Sequence, residues 1–147
     1  MERTGSPLKP FWGILVILLA VVAVTAISRG FREEETVPWR DTFADARNES
    51  RQSGKPVLAY FTATWCGPCQ RMKQTTWASP LVEAALRDYV PVKIDVDRDA
   101  KAAQAFGINR VPTYLVITPG AGEADDEIVK AQSGAVSPEK FIAWLES

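Results

Sequence analysis

The hydrophobic pattern separates an uncharged N-terminal run from a longer region in which apolar and amphipathic segments alternate. Residues 11–27 carry no charge, and a helix of that length reaches about 25 Å, the short end of what spans a bilayer. A helix that is apolar on every face needs an apolar environment all round it. The pattern predicts a tail over 1–10, a transmembrane helix or signal segment over 11–28, a polar tether over 29–37 and a folded domain over 38–147.

Basic residues flank the apolar run on both sides, at Arg3 and Lys9 before it and at Arg29 and Arg32 after it. The positive-inside bias is therefore nearly balanced, but short basic N-terminal tails usually stay inside. We expect a single-pass protein of the cytoplasmic membrane with its C-terminal domain on the extracytoplasmic side. The alternative is a signal peptide cleaved near residues 24–26, which leaves a secreted or periplasmic domain.

The tether and the start of the domain differ in pattern. The acidic run at 33–35 within the tether is expected to be solvated. From Trp39 the sequence is amphipathic, with Phe43 and Ala46 at spacings of four and three, which predicts a helix over 39–53 that Gly54 ends.

The rest of the domain alternates between strand and helix signals. The apolar run over 55–64 predicts a strand covered on both faces. Further helices are predicted over 69–77, 81–89, 100–108 and 139–147, and further strands over 90–97, 113–119 and 127–134. Helices connect the first strands, which predicts parallel pairing, and a short acidic loop connects the last two, which predicts antiparallel pairing. The expected fold is an α/β arrangement of a mixed central sheet with helices on both faces.

Composition narrows the possible functions. The chain has 17 basic and 18 acidic residues, so nothing in its charge suggests nucleic-acid binding. It has no histidine, which removes the commonest zinc ligand, and its two cysteines supply only half of a four-ligand structural zinc site. We expect no metal.

The two cysteines, Cys66 and Cys69, follow the first predicted strand and open the next predicted helix. The unpaired N–H groups and the dipole of a helix N-terminus favour an anion there, which stabilises the Cys66 thiolate. Cys69 lies one turn further on and is close enough to attack a mixed disulfide at Cys66. A structural disulfide is the alternative, although so small a loop removes little entropy from the unfolded chain.

Two segments carry a resemblance to a known family. The stretch "YFTATWCGPCQRM", with "RVPTYLVI" downstream, resembles the thioredoxin superfamily. Together with "SGKPVLAYF" and "TTWASPLVEAAL", it is similar to the exported C-terminal domain of the DsbD thiol:disulfide interchange protein and related membrane-anchored thioredoxins. The resemblance implies a thioredoxin-like three-layer fold, here preceded by one N-terminal transmembrane helix. It also implies thiol–disulfide oxidoreductase activity, with no cofactor beyond a redox-active Cys66–Cys69 disulfide.

The resemblance also implies roles for individual residues. Cys66 is the expected nucleophile and Cys69 the expected resolving thiol. Pro112 matches a cis-proline beside the disulfide, and the Val111 backbone would bind an extended substrate segment, although an ordinary proline at a strand start is the alternative. The expected substrate-binding residues are Trp65, Gly67, Pro68, Val111 and Pro112.

Two positions depart from the family pattern. Tyr60 stands where thioredoxins have a buried aspartate that helps to deprotonate the resolving thiol, and a phenol is a poor base at neutral pH. Lys93 matches the lysine that accompanies that aspartate, and Arg110 replaces a residue that is often small. All three are candidates for tuning the pKa of the cysteines.

The residues between the cysteines favour a direction of electron flow. Gly67-Pro68 resembles the reducing end of the superfamily, which predicts a reductant of disulfides in exported proteins. Its expected partners are protein disulfides and a membrane thiol electron donor, and we expect a monomer. The alternatives are a disulfide oxidase or isomerase and a non-catalytic thioredoxin-like binding module.

Overall fold

The computed structural model describes residues 9–30 and 35–147 of the 147-residue chain, in two compact units. The first unit contains helix α1, Lys9–Gly30, on which large apolar side chains such as Trp12 and Leu19 are exposed. In the described part of the chain, no helix is long and apolar enough to cross a membrane, so the structure does not support the predicted transmembrane helix. Most of the predicted tail, and residues 31–34 of the predicted tether, lie outside the described residues.

The second unit is built on one four-stranded sheet. Its strands are β1 (Val57–Thr62), β2 (Val90–Asp95), β3 (Thr113–Thr118) and β4 (Glu127–Ser133), in the spatial order β2-β1-β3-β4. β1 pairs in parallel with β2, and β3 pairs antiparallel with both β1 and β4. The predicted mixed sheet is therefore confirmed.

The direction of β3 differs from the prediction of parallel strands before the last pair. Between β2 and β3 the helical segment is α5, Ala100–Ala105, whose six residues advance the chain by only about 9 Å. A six-residue strand is about 20 Å long, so this helix does not return the chain to the edge of the sheet where β2 began. β3 instead starts at the edge where β1 and β2 end, with Thr113 opposite Phe61.

Helix α2, Phe43–Ser53, begins four residues later than predicted. Thr42 caps it by accepting a hydrogen bond from the Asp45 N–H, and the preceding Arg40 is extended and bridges to Val92 of β2. Gly54 ends the helix as predicted, with φ of 72°, a left-handed conformation that suits glycine.

The remaining helices lie close to their predicted positions. They are α3 (Gly67–Gln74), α4 (Pro80–Ala85) and α6 (Pro138–Glu146), and short 3₁₀ turns cover Leu86–Asp88 and Glu123–Asp125. Ser137 caps α6 by accepting from the Lys140 N–H, whereas Ser79 precedes α4 without a side-chain cap.

The sheet buries apolar side chains on both faces, which gives three layers. The cluster on one face joins β1 and β3 to α3, α4 and α6, and comprises Val37, Leu58, Tyr60, Met72, Trp77, Val82, Leu86, Tyr114, Val116, Phe141 and Leu145. The cluster on the other face joins the first three strands to α2, and comprises Ala46, Val57, Ala59, Phe61, Val90, Val92, Ile94, Leu115 and Ile117, with Phe43 and Ala102 packed against it. Residues 35–37, predicted as the end of the tether, pack here: Val37 is buried, and the Thr36 N–H donates to the Trp77 carbonyl at 3.0 Å.

Two buried tyrosines, Tyr60 and Tyr114, are expected to make the core less stable at alkaline pH. Burial raises the pKa of Tyr60, and it raises the pKa of Tyr114 to about 12. Because the neutral phenol is the form that the core accepts, this contribution to stability is complete below the ordinary tyrosine pKa of about 10 and is lost as the pH rises through about 12. We therefore expect the free energy of unfolding in urea to fall between those pH values, and to fall less in Tyr114→Phe. Equal pH dependence in the two proteins would contradict this assignment.

Candidate active site

Cys66 and Cys69 form a disulfide at the start of α3, with 5.2 Å between their Cα atoms. Cys66 is the residue that caps the helix, and its Sγ accepts a hydrogen bond from the Cys69 N–H at 3.2 Å. Pro68 lies in the first turn, where its missing N–H leaves no helical hydrogen bond unmade. The Cys66 sulfur thus lies at a helix N-terminus, as predicted.

Both cysteines are almost completely buried, with 4% of Cys66 and 2% of Cys69 exposed. They pack in a small apolar cluster with Ala63, Val96 and Val111. These neighbours come from the loops after β1 and β2 and from the segment before β3, all at the edge of the sheet where β1 ends. An apolar setting limits access of water to the sulfur atoms, so a partner must dock at this edge to reach Cys66.

The Val111–Pro112 peptide is cis, and Pro112 is buried. Val111 packs against the cysteines because β3 starts opposite the end of β1. Within the described residues, the Val111 backbone makes no hydrogen bond, whereas the Pro112 carbonyl accepts from the Gly134 N–H at 2.8 Å. The N–H and C=O of Val111 are thus available to an extended peptide, as the family resemblance implies.

Trp65 and Asp97 form the exposed border of the site. Trp65 is 69% exposed, and its indole Nε1 donates to Asp97 Oδ2 at 2.8 Å. The Asp97 N–H donates in turn to Asp95 Oδ1 at 2.9 Å. Asp97 was not among the residues that the sequence predicted for the site. The parallel pairing of β1 and β2 was the available signal, because it brings the residues after both strands to the same edge.

A cavity of about 330 Å³ lies beside Cys69, and Tyr60, Lys93 and Glu35 are among the other residues that line it. The Tyr60 hydroxyl is buried and has no hydrogen-bond partner among the described residues. Its pKa is raised, chiefly by burial, although Thr62 and Trp77 lie close enough to offset part of the rise. The fraction of Tyr60 that is ionised at neutral pH is therefore even smaller than its residue type suggests.

Lys93 pairs with a carboxylate, that of Glu35, which the sequence pattern predicted to be solvated. Its Nζ forms an ion pair with Glu35, whose side chain is only 13% exposed, and lies 5.9 Å from the centre of the Trp39 ring. The expectation that the acidic run is solvated is thus wrong for Glu35. Nothing in the local pattern identifies this residue, because the contact depends on how residues 35–37 fold back over the sheet.

Arg110 lies in the loop before the cis-proline. Its side chain is exposed, and its backbone carbonyl accepts a hydrogen bond from Thr113 Oγ1 at 2.9 Å. The structure thus gives Arg110 a backbone role in this loop. Influence of its guanidinium on the cysteines stays a prediction.

A disulfide at a helix N-terminus, beside a cis-proline and an unpaired Val111 backbone, is the arrangement expected at the site of a thiol–disulfide oxidoreductase. Within the described residues, no cluster of three or more His, Cys, Asp or Glu residues is placed to hold a metal ion. Residues 38–119 match the thioredoxin-like family, more than half of the chain, and the chain belongs to that family.

Individual relatives agree with this assignment. The chain is 38% identical over 88 residues to an H-type thioredoxin of Chlamydomonas reinhardtii, covering 57% of this chain and 72% of that protein. Its fold is similar to a solution structure of a thioredoxin from Thermus thermophilus, with a TM-score of 0.67 over 76% of this chain and 85% of that one, at 24% identity. The oxidised C-terminal domain of Neisseria meningitidis DsbD gives a TM-score of 0.56 at 26% identity, covering 70% and 89% of the two chains. The predicted superfamily and thiol–disulfide oxidoreductase activity are confirmed.

Proposed function

We propose that this oxidoreductase works as a reductant of disulfides in exported proteins, outside the cytoplasmic membrane. The observation that carries the reductive reaction is the Cys66 sulfur held at the N-terminus of α3 beside the free Val111 backbone. Gly67 and Pro68 between the cysteines support the reducing direction, since they resemble the residues of the most reducing family members.

The reaction begins from the dithiol form. A substrate segment docks along Val111 as an added strand, and the Cys66 thiolate attacks one sulfur of the substrate disulfide. A mixed disulfide forms, and the other substrate sulfur leaves as a thiolate that takes up a proton. Cys69 then loses its proton and attacks Cys66 Sγ, which breaks the mixed disulfide and releases the second substrate thiolate. The substrate gains two electrons, and the enzyme is left with the Cys66–Cys69 disulfide.

The extracytoplasmic location rests on the N-terminal segment. Residues 11–27 are uncharged, and the apolar side chains described on α1 are exposed, so this segment needs a hydrophobic partner. We propose that it directs the domain across the cytoplasmic membrane and either keeps it attached or is removed after export. A membrane thiol donor then returns the disulfide to the dithiol.

One labelling experiment tests direction and location separately. A membrane-impermeant maleimide is added to intact spheroplasts that contain the full chain, and the number of modified cysteines is read from the mass shift on a gel. We expect Cys66 to be labelled before lysis, because a reductant is held as the dithiol, whereas Cys69, which is 2% exposed, is expected to be labelled only after denaturation. Labelling only after a reducing agent is added would contradict the reductive direction. Labelling only after lysis would contradict the location, and a Cys66→Ser/Cys69→Ser chain controls for background.

A further inference from the structure

The cavity beside the disulfide contains a carboxylate in a place that the family pattern does not provide. Glu35 lines the same space as Cys69 and Tyr60, and its ion pair with Lys93 fixes the side chain there. Tyr60 also lines this space, although its hydroxyl is buried beneath the surface and has no hydrogen-bond partner among the described residues. A cavity of about 330 Å³ has room for water between these groups.

The backbone on the C-terminal side of Glu35 is held firmly. The Thr36 N–H donates to the Trp77 carbonyl at 3.0 Å, and Val37 is 5% exposed within the core. Lys93 is opposite Tyr60 in the β1–β2 register, so the ion pair holds the Glu35 carboxylate on the sheet face that Tyr60 also faces. The Glu35 charge also contributes to the raised pKa of Tyr60, which indicates that its field reaches the cavity.

Other charged side chains face this cavity, but the other carboxylates differ from Glu35. The further charged residues lining it are Arg40, Asp41, Lys73, Asp95, Arg98 and Asp99. Asp95 accepts a hydrogen bond from the Asp97 N–H, and Asp99 caps α5 by accepting from the Ala102 N–H. Both are thus engaged with backbone, and Asp41 is exposed. Among these carboxylates, Glu35 is the one that is both shielded from solvent and paired with a cation, and it lines the same cavity as Cys69.

We propose that Glu35 accepts the proton of Cys69 when the mixed disulfide is resolved, a step that rests on the redox cycle proposed above. The Cys69 S–H proton passes through cavity water to the Glu35 carboxylate. The Cys69 thiolate then forms a bond to Cys66 Sγ, and the bond from Cys66 to the substrate sulfur breaks. The departing substrate thiolate takes up the proton, so the carboxylate is restored and no further oxidant or reductant is needed. Glu35, which precedes the first helix of the domain, thereby accepts the proton that Tyr60 on β1 cannot accept.

The test separates the two chemical steps. Purified reduced full-length chain is mixed with a synthetic peptide containing one disulfide, and acid-quenched samples are analysed by mass for the mixed disulfide. In Glu35→Gln we expect the attack by Cys66 to keep its rate, while resolution by Cys69 slows by about 10²-fold near neutral pH. The deficit is expected to shrink as the pH rises through about 8.5, where a thiol ionises without help. Glu146→Gln, an exposed residue at the end of α6, is the matched control and is expected to behave as wild type.

A second variant separates proton transfer from loss of the ion pair. Lys93→Gln also breaks the pair but keeps the carboxylate, so we expect its resolution step to stay much faster than that of Glu35→Gln at neutral pH. Equal slowing in both variants, or normal resolution in Glu35→Gln at every pH, would overturn the proposal. A wild-type protein that never attacks the peptide would instead refute the proposed function, since the first step does not involve Glu35.

Discussion

Cys66→Ser is expected to lower the rate of insulin reduction to that of dithiothreitol alone. The Cys66 sulfur is the atom at the N-terminus of α3, accepts the Cys69 N–H, and lies in the apolar cluster with Val111. A hydroxyl in its place is not ionised at neutral pH and does not form a disulfide, so the cycle cannot begin. The measurement is the turbidity of reduced insulin with the full chain as catalyst.

Cys69→Ser is expected to fail in a different way that identifies the order of the steps. Cys66 still attacks, but nothing inside the protein resolves the product, so a mixed disulfide with the substrate accumulates. A gel without reducing agent measures this species, and the Cys66→Ser/Cys69→Ser chain is the control that forms none. Accumulation on Cys69 in the Cys66→Ser chain would reverse the assigned roles. No turnover by wild type would favour a non-catalytic binding module.

Trp77→Ala is expected to cause the largest loss of stability among single core substitutions. The Trp77 side chain is fully buried, and its ring centre lies 5.1 Å from that of Trp39, 4.8 Å from that of Tyr60 and 4.9 Å from that of Phe141. Removing a buried tryptophan side chain costs about 3–5 kcal/mol, against a total of about 5–15 kcal/mol for a typical domain. We expect the Tm of the domain to fall by at least about 12 °C, measured by circular dichroism.

Trp65→Ala is the matched control for this loss. Trp65 is 69% exposed and contacts Asp97 through one hydrogen bond at its indole nitrogen, so its removal leaves no core cavity. We expect its free energy of unfolding to stay within about 0.5 kcal/mol of wild type. A loss of stability in Trp65→Ala as large as that in Trp77→Ala would show that ring burial does not explain the difference.

The sequence determined the elements of the domain and the chemistry of the cysteine pair. Both can be recognised from short stretches of the chain. The unbroken apolar run of β1 is typical of a strand that is buried on both faces, and the spacing of Cys66 and Cys69 fits one turn of α3. Gly54 marked the end of α2 for the same reason, because a left-handed backbone conformation favours glycine wherever it occurs.

Only the tertiary structure decided the direction of β3 and the surroundings of Cys69. Because α5 is short, β3 starts beside the end of β1, and Val111 therefore packs against the cysteines across more than forty positions of sequence. Glu35 is more than thirty positions from Cys69 along the chain, and its contact with Lys93 depends on the packing of residues 35–37 over the sheet. Local propensity records which residues favour helix or strand, but such long-range contacts arise from burial and charge pairing in the finished fold. The absence of a carboxylate at position 60 was therefore evident from the sequence, whereas the presence of the Glu35 carboxylate in the same cavity was not.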